Sequence, residues 1–377
     1  MQWNALSKPA NMARIVHLHS GASGAMRRGT HPPSNGVGMA GIKDVAARAG
    51  VSISTVSYVV SGKRRIGAET QARVRAAALE LGYRPVIDAT EPASARGTHV
   101  LAVSSPLRPY TDVANYAAFF FALATAAKRH GYDILLLMHE AGDQEMRRVA
   151  DRGMADGIFL LDVLLSDSRA DMAAAIDIPV VSIGYTNDTG NVYTVDMDFA
   201  RMGREAMEKA HVLGHRHVML YCPDRRAFID GSNFLVRFLD SAMQRGEELG
   251  MTVVRKFAFG RTADDVNLAI EEAFGEDPRI TAIICEENAA QMGLVRAALA
   301  RKGLDVPRDV SIMAACANGS SARLADEMPM NPGAVCERAV DIMMEVLRGE
   351  RHDVGYVELL PGEYCARGTM RARQVRE

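Results

Sequence analysis

GIKDVAARAGVSISTVSYVVSGKRRIGAETQARVRAAALELGYRP, residues 41–85, reads as three short helices in close succession. Ile42, Val45, Ala46 and Ala49 fall at i, i+3, i+4 and i+7, one face of a two-turn helix. Gly50 suits the left-handed conformation that ends a helix and starts a tight turn. Ser52 can cap a second helix through the amide of Ser54 or Thr55, with Val56, Val59 and Val60 on its inner face. Two short helices across a Gly-Val-Ser turn make a helix-turn-helix. A basic loop over 61–67 leads to a third helix at 68–81, apolar at Val74, Ala77, Ala78 and Leu81 and stopped by Gly82 before Pro85.

Outward from this segment, charge divides the chain. The 377 residues carry a net charge of −2. Between Gly41 and Val86, however, Lys43, Arg48, Lys63, Arg64, Arg65, Arg73, Arg75 and Arg84 outnumber Asp44, Glu69 and Glu80. A small basic module joined to an acidic remainder points to a polyanionic partner for the small part. At 48% hydrophobic and 24% charged residues, the chain has a globular composition, and its length suits two or three units. Cys222, Cys285, Cys316, Cys336 and Cys365 are scattered without a CxxC pair, which predicts thiols in a reducing cytoplasm rather than a disulfide framework or zinc set. No run of 18 apolar residues predicts a membrane span. Residues 1–40 hold Lys8, Arg14, Arg27 and Arg28, no acid and no signal-peptide core. They read as a disordered extension, with Met39 as an alternative start. A targeting peptide or a basic DNA-binding arm is the other reading.

The 41–85 segment resembles the DNA-binding headpiece of the lac-repressor (LacI/GalR) family of bacterial transcriptional regulators, matching its IKDVA, AGVS, STVS and LGYRP elements in order and spacing. That resemblance implies a second helix that enters the major groove of duplex DNA. Carried over by position, Ile53, Ser54 and Tyr58 become base-reading candidates. Ser52, Thr55 and Ser57, with Lys63, Arg64 and Arg65 of the loop, become phosphate-contact candidates. A serine can donate or accept at a base edge, and Ile53 can pack on a thymine methyl. Many relatives carry Arg where Tyr58 stands, and Arg favours guanine, so a different base preference is expected. Beyond Pro85, relatives continue with a short helix whose Leu wedges the minor groove. Here Pro92 stands at the wedge position, and Asp88 and Glu91 repel phosphates, so residues 87–98 are expected to form a weakened hinge helix or a linker.

From His99 the pattern changes. Apolar runs at 100–104, 134–138, 157–161, 180–183, 218–221, 253–257, 282–285 and 310–314 alternate with amphipathic helices near 116–130, 199–213, 233–249, 263–274, 288–302 and 333–348. Such alternation predicts parallel sheets covered on both faces, here in two subdomains flanking a cleft. This region resembles the periplasmic-binding-protein-like core of the same family through His130-Gly131-Tyr132-Asp133, Ala155-Asp156-Gly157-Ile158, Ile178-Pro179-Val180-Val181, Leu213-Gly214-His215, Asp305-Val306-Pro307 and Arg367-Gly368-Thr369. The resemblance places a ligand outside the carboxyl ends of the strands, near Tyr110, Asp112, Asn115, Tyr116, Arg237, Glu287 and Asn288, with Glu286 as an alternative to Glu287. Arg237 could fork onto two ligand oxygens. Ala289 follows Asn288 where relatives carry Asn-Asp, and Cys316-Ala317-Asn318 stands where a late Asp pair is usual. Two pocket acids are therefore expected to be missing, which implies a ligand unlike the common hexoses or a loss of ligand control. The sole Trp, Trp3, lies in the extension, leaving Phe or Tyr to stack on a sugar.

The expected architecture is α/β: an extension (1–40), an all-α helix-turn-helix reader (41–86), a linker (87–98) and a two-subdomain core of parallel sheets (99–377). The expected function is a cytoplasmic, homodimeric repressor of a pseudo-palindromic operator, controlled by a small molecule such as a carbohydrate. A solute-binding protein without DNA function is the rival. Catalysis and cofactors are not expected: the chain has no Walker loop, zinc-spaced cluster or GxSxG, and Gly21-Ala22-Ser23-Gly24 lacks a flanking strand and helix.

Overall fold

The computed structural model of the chain describes residues 41–61, 64, 66–81, 83, 97–258, 260–286, 289–317 and 324–373. The expected extension with Trp3 and Met39, most of the expected linker with Pro92, and the Val60 side chain lie outside the described residues. Two compact units result, one within residues 1–88 and one within 89–377.

The first unit holds α1 (Ile42–Ala49), α2 (Ile53–Ser61) and α3 (Ala68–Glu80). Val45, Ala46, Ala49, Val56, Val74 and Ala77 form its core, with Ile42, Val59, Ala78, Leu81 and Tyr83 packed around them. This is the stripe that the helical spacing predicted. So small a core needs help at its edges, and an Arg48–Glu80 pair at 2.7 Å ties α1 to the end of α3.

In the second unit the first lobe is a six-stranded, all-parallel sheet in the order β11-β5-β4-β3-β1-β2. Its strands are β1 (Val100–Ser104), β2 (Asp133–Leu137), β3 (Gly157–Leu160), β4 (Val180–Ile183), β5 (Tyr193–Met197) and β11 (Val357–Leu360). The helices α4 (Val113–Arg129), α5 (Gly142–Asp151), α6 (Ser168–Met172) and α12 (Pro332–Leu347) accompany it, α12 packing on α4, β4 and β5. The second lobe is a five-stranded parallel sheet, β10-β9-β8-β6-β7, of β6 (His217–Cys222), β7 (Thr252–Phe257), β8 (Ala282–Cys285), β9 (Ser311–Ala317) and β10 (Asp326–Pro329). Its helices are α7 (Phe199–Val212), α8 (Arg225–Ile229), α9 (Asn233–Glu248), α10 (Ala263–Glu276) and α11 (Ala289–Arg301). A Cβ on Gly203 of α7 would meet the Phe238 carbonyl oxygen of α9 at 2.3 Å, so glycine lets these two helices approach backbone to backbone.

The chain crosses between lobes three times: after β5, between β10 and α12, and again after β11, where Cys365 pairs with Glu327 of β10. Strands β5, β10 and β11 and helices α5, α6 and α8 have no counterpart among the expected elements. β10 carries Asp326 and Glu327, both fully buried, so its run looks polar. Their partners come from far along the chain: Tyr364, Arg367 and Thr369. Among the described residues no helix is long and apolar enough to cross a membrane, and no His, Cys, Asp or Glu group is arranged to hold a metal.

Candidate functional site

The reader face is built by two local devices. Gly50, at φ +66° and ψ +39°, closes α1 by donating its N–H to the Ala46 and Ala47 carbonyls. Two residues on, Ser52 Oγ accepts the Thr55 N–H at 3.1 Å and lies 2.8 Å from both Ser54 Oγ and Thr55 Oγ1. The cap starts α2 at Ile53 and turns Val56 inward. Ile53 is consequently 47% exposed, and Ser52, Ser54 and Ser57 face solvent. Thr55 and Tyr58 are half-buried, and the Arg64 guanidinium carbon lies 6.0 Å from the Tyr58 ring centre. Seven of the proposed DNA contacts thus sit on or beside one helix face. Lys63 and Arg65 lie outside the described residues.

A cleft of about 820 Å³, counted with its open mouth, lies between the lobes at the carboxyl ends of their strands. Tyr110, Asp112, Asn115 and Tyr116 line it, as the sequence placed them. Glu286, at the end of β8, lines it too and is buried, whereas Glu287, Asn288 and Asn318 lie outside the described residues. Arg237 is not in the lining. It stands one turn further along α9, its Nε donating to Asn233 Oδ1 at 2.6 Å and its plane 3.5 Å from the Tyr185 ring centre.

Other polar lining residues were not among the expected site residues. Asp162 follows β3 in the left-handed region, at φ +56°, buried and paired with Arg108 at 2.5 Å. Tyr116 donates its hydroxyl to Asp162 Oδ1 at 2.5 Å, and burial together with that carboxylate pushes the phenol well above its usual range. Behind Asp162, the buried Arg169 donates to the carbonyls of Ser104, Leu161 and Asp162 and to the Asp167 carboxylate, binding the ends of β1 and β3 into one rigid edge. Asp196 at the end of β5 is fully buried. Desolvation raises its carboxyl to about 7, against the opposing hydrogen bonds from Asn233 Nδ2 (2.9 Å) and the Met197 N–H (2.8 Å). Arg261, from the loop after β7, reaches across the mouth to within 3.6 Å of Asp112. The Asn233 N–H donates to the Val163 carbonyl at 3.1 Å, and that of Leu165 to the Gly231 carbonyl at 2.8 Å, joining the lobes beneath the cleft.

Two of the family's usual pocket acids were expected to be missing, with Asp112 and Glu287 or Glu286 named in the pocket. The cleft holds Asp112 and Glu286 and adds Asp162 and Asp196, from the ends of β3 and β5. An acid at the carboxyl end of an apolar run, as in GIFLLD (157–162) and YTVDM (193–197), is the signal that could have found two of them. Phe119, Phe199 and Phe234 supply flat apolar surface beside Tyr110 and Tyr116.

Residues 41–86 match the bacterial regulatory proteins of the lacI family, and residues 208–370 match the periplasmic binding protein-like domain. The HTH-type transcriptional regulator reg1 of Streptomyces lividans is 30% identical over 286 residues, spanning 72% of this chain and 79% of the relative. Among solved structures, a lac repressor dimer bound to operator and the anti-inducer ONPF is similar with a TM-score of 0.68 at 19% identity, over 88% of this chain and 99% of that one. A complex of the transcriptional regulator CelR with cellobiose is similar with a TM-score of 0.60 at 20% identity, over 88% and 99% of the two chains. These two likenesses show a shared fold.

Proposed function

The chain belongs to the lacI family of bacterial regulatory proteins, and from that premise we propose how this DNA-binding transcriptional regulator divides its work. Residues 41–86 read DNA, residues 87–98 link the reader to the core, and residues 99–377 bind an effector and form a homodimer. Ile53, Ser54 and Tyr58 read base edges; Ser52, Thr55, Ser57, Lys63, Arg64 and Arg65 hold phosphates. The protein acts as a cytoplasmic repressor on a pseudo-palindromic operator, because two copies of one reader meet two half-sites. It has no catalytic role.

One observation carries the reading. The Ser52 cap presents an exposed isoleucine and a row of hydroxyls on the outer face of a second helix whose inner face is locked by Val56. The effector site is the cleft, at Tyr110, Asp112, Asn115 and Tyr116, with Arg237 behind its lining; Glu287 and Asn288 are proposed members of the same site. Aromatic faces beside carboxyl and amide groups suit a carbohydrate, and CelR, of the same fold, has been solved as a complex with cellobiose.

Selection of random duplexes by the full chain tests the reader. Enrichment of a two-fold symmetric site, lost when residues 1–96 are removed, is expected. No enriched sequence, with or without metabolites, would overturn the regulator reading and leave the solute-binding alternative standing. Release of the selected duplex by small molecules tests the cleft.

A further inference from the structure

Arg237 is committed behind the cleft wall. Its Nε donates to Asn233 Oδ1 at 2.6 Å, its Nη2 donates to the Tyr185 carbonyl at 3.2 Å, and its plane stacks on the Tyr185 ring. A guanidinium has donors only, so the Asn233 oxygen must face it and the Asn233 Nδ2 must point the other way. There Nδ2 donates to Asp196 Oδ2 at 2.9 Å, while the Met197 N–H holds Oδ1 at 2.8 Å. Asn233 and Asp196 line the cleft and are almost completely buried. One cation outside the lining therefore sets the amide, and the amide sets the carboxyl.

The polarity of the lining points the same way. Among its described residues Arg261 is the one cation, and it faces Asp112 at 3.6 Å. Arg108, beside the lining, is engaged by Asp162. Against these stand the buried carboxyls of Asp196 and Glu286. Asn115 adds a further acceptor: it is 9% exposed, lines the cleft, and its Oδ1 has no hydrogen-bond partner among the described residues. An acceptor left in that state is stabilised by an incoming donor, which a hydroxyl supplies and an anionic group does not.

We propose that the cleft selects a hydroxyl-bearing molecule without an anionic group, read by Asp196, Asn233 and Asn115, and that Arg237 is a positioning residue that holds the first two rather than a ligand contact. The inference rests on the cleft being the effector site. It adds the charge class of the effector and takes the arginine off the ligand.

Calorimetric titration of the full chain with glucose, maltose and cellobiose, and with glucose 6-phosphate and glucuronate, tests the charge rule. At least one neutral sugar is expected to bind, with the anions at least tenfold weaker. An anion that binds as tightly or more tightly, or silence from every neutral sugar, overturns it. With the sugar that binds, a double-mutant cycle tests the positioning role. Arg237→Ala is expected to weaken binding tenfold or more in the wild-type background, and less than twofold once Asn233→Ala is present, because the arginine acts through that amide. Equal losses in both backgrounds, or no loss in the wild type, overturn it. If Arg237→Ala fails to fold, Arg237→Lys keeps the charge, loses the fork and the stacked plane, and completes the same cycle. A charged metabolite that releases the selected duplex while neutral sugars stay silent breaks this proposal and leaves the regulator reading intact. Operator binding that no small molecule changes breaks the effector reading itself.

Discussion

The reader and the cleft solve opposite problems. The reader keeps its proposed contact groups outside: Ile53, Ser54 and Ser57 are exposed, and its core is a handful of small aliphatic residues beneath them. The cleft keeps its proposed contact groups inside, where Asp162, Asp196 and Glu286 are each at least nine-tenths buried and the first two are held by named partners. Contact groups on a solvated face can be exchanged with little effect on folding, because water replaces what is lost. Groups in a desolvated wall are part of what holds the wall, so exchanging them disturbs stability and recognition together.

That contrast can be broken at its strongest point first. Arg169→Ala strips the donors from three strand-end carbonyls and leaves Asp167 a buried carboxylate without its cation; a loss of about 3–5 kcal/mol in urea unfolding is expected. A loss below 1 kcal/mol would show that the cleft edge is not held this way. On the reader, Tyr58→Ala should cost about 1–3 kcal/mol of binding at one base pair, read by competition against single-base variants of the selected site. Its unfolding free energy should stay within about 0.5 kcal/mol of wild type. Equal weakening on cognate and scrambled DNA would remove Tyr58 from base reading.

A third test separates the regions by pH. Asp196 titrates at about 7 when folded, above its unfolded value of 3.8. Between those values the native state binds the extra proton, so this group's contribution to stability declines as pH rises from about 4 to 7, by up to about 1.4 kcal/mol per pH unit. Asp196→Asn should flatten that slope in unfolding measured across the window, although the new amide turns a donor toward Asn233 or Met197 and lowers stability overall. A slope left intact would assign the proton elsewhere. The smallest effect belongs to Arg64→Ala, which should weaken all duplexes alike and reduce the salt dependence of binding by roughly one counterion. A base-specific loss would move Arg64 from phosphate contact to readout.

The same contrast explains what could be read from the chain alone. In the reader each feature is local: Gly50 ends one helix, Ser52 caps the next three residues before Thr55, and Val45, Val56 and Val74 mark the inner faces at helical spacing. The eight expected strands of the core appear for the same reason, since buried parallel strands are continuous apolar runs. The remaining strands escape because their stability is imported. Asp326 makes β10 look like a loop until Tyr364, Arg367 and Thr369 satisfy it from about 40 residues further on. Likewise, Asp112 and Glu286 could be named for the pocket from the sequence, while Asp162 and Asp196 reach it from strand ends that no expected site included. Arg237 shows the limit most sharply: its position in sequence is that of a ligand clamp, but the Tyr185 ring, reached only through the fold, claims its plane.

The last crossing of the chain bears on how the protein is made. β11 is the edge strand of the first lobe, and Thr369 closes the second by bonding Asp326 and the Ile312 carbonyl. A growing polypeptide leaves the ribosome reader first, and neither lobe is complete until the stretch around residues 357–369 has followed. Translation cut short inside α12 would therefore release a product that still carries the operator-binding helices but lacks the strand and the stitch that finish the sensor, a regulator deaf to its own signal.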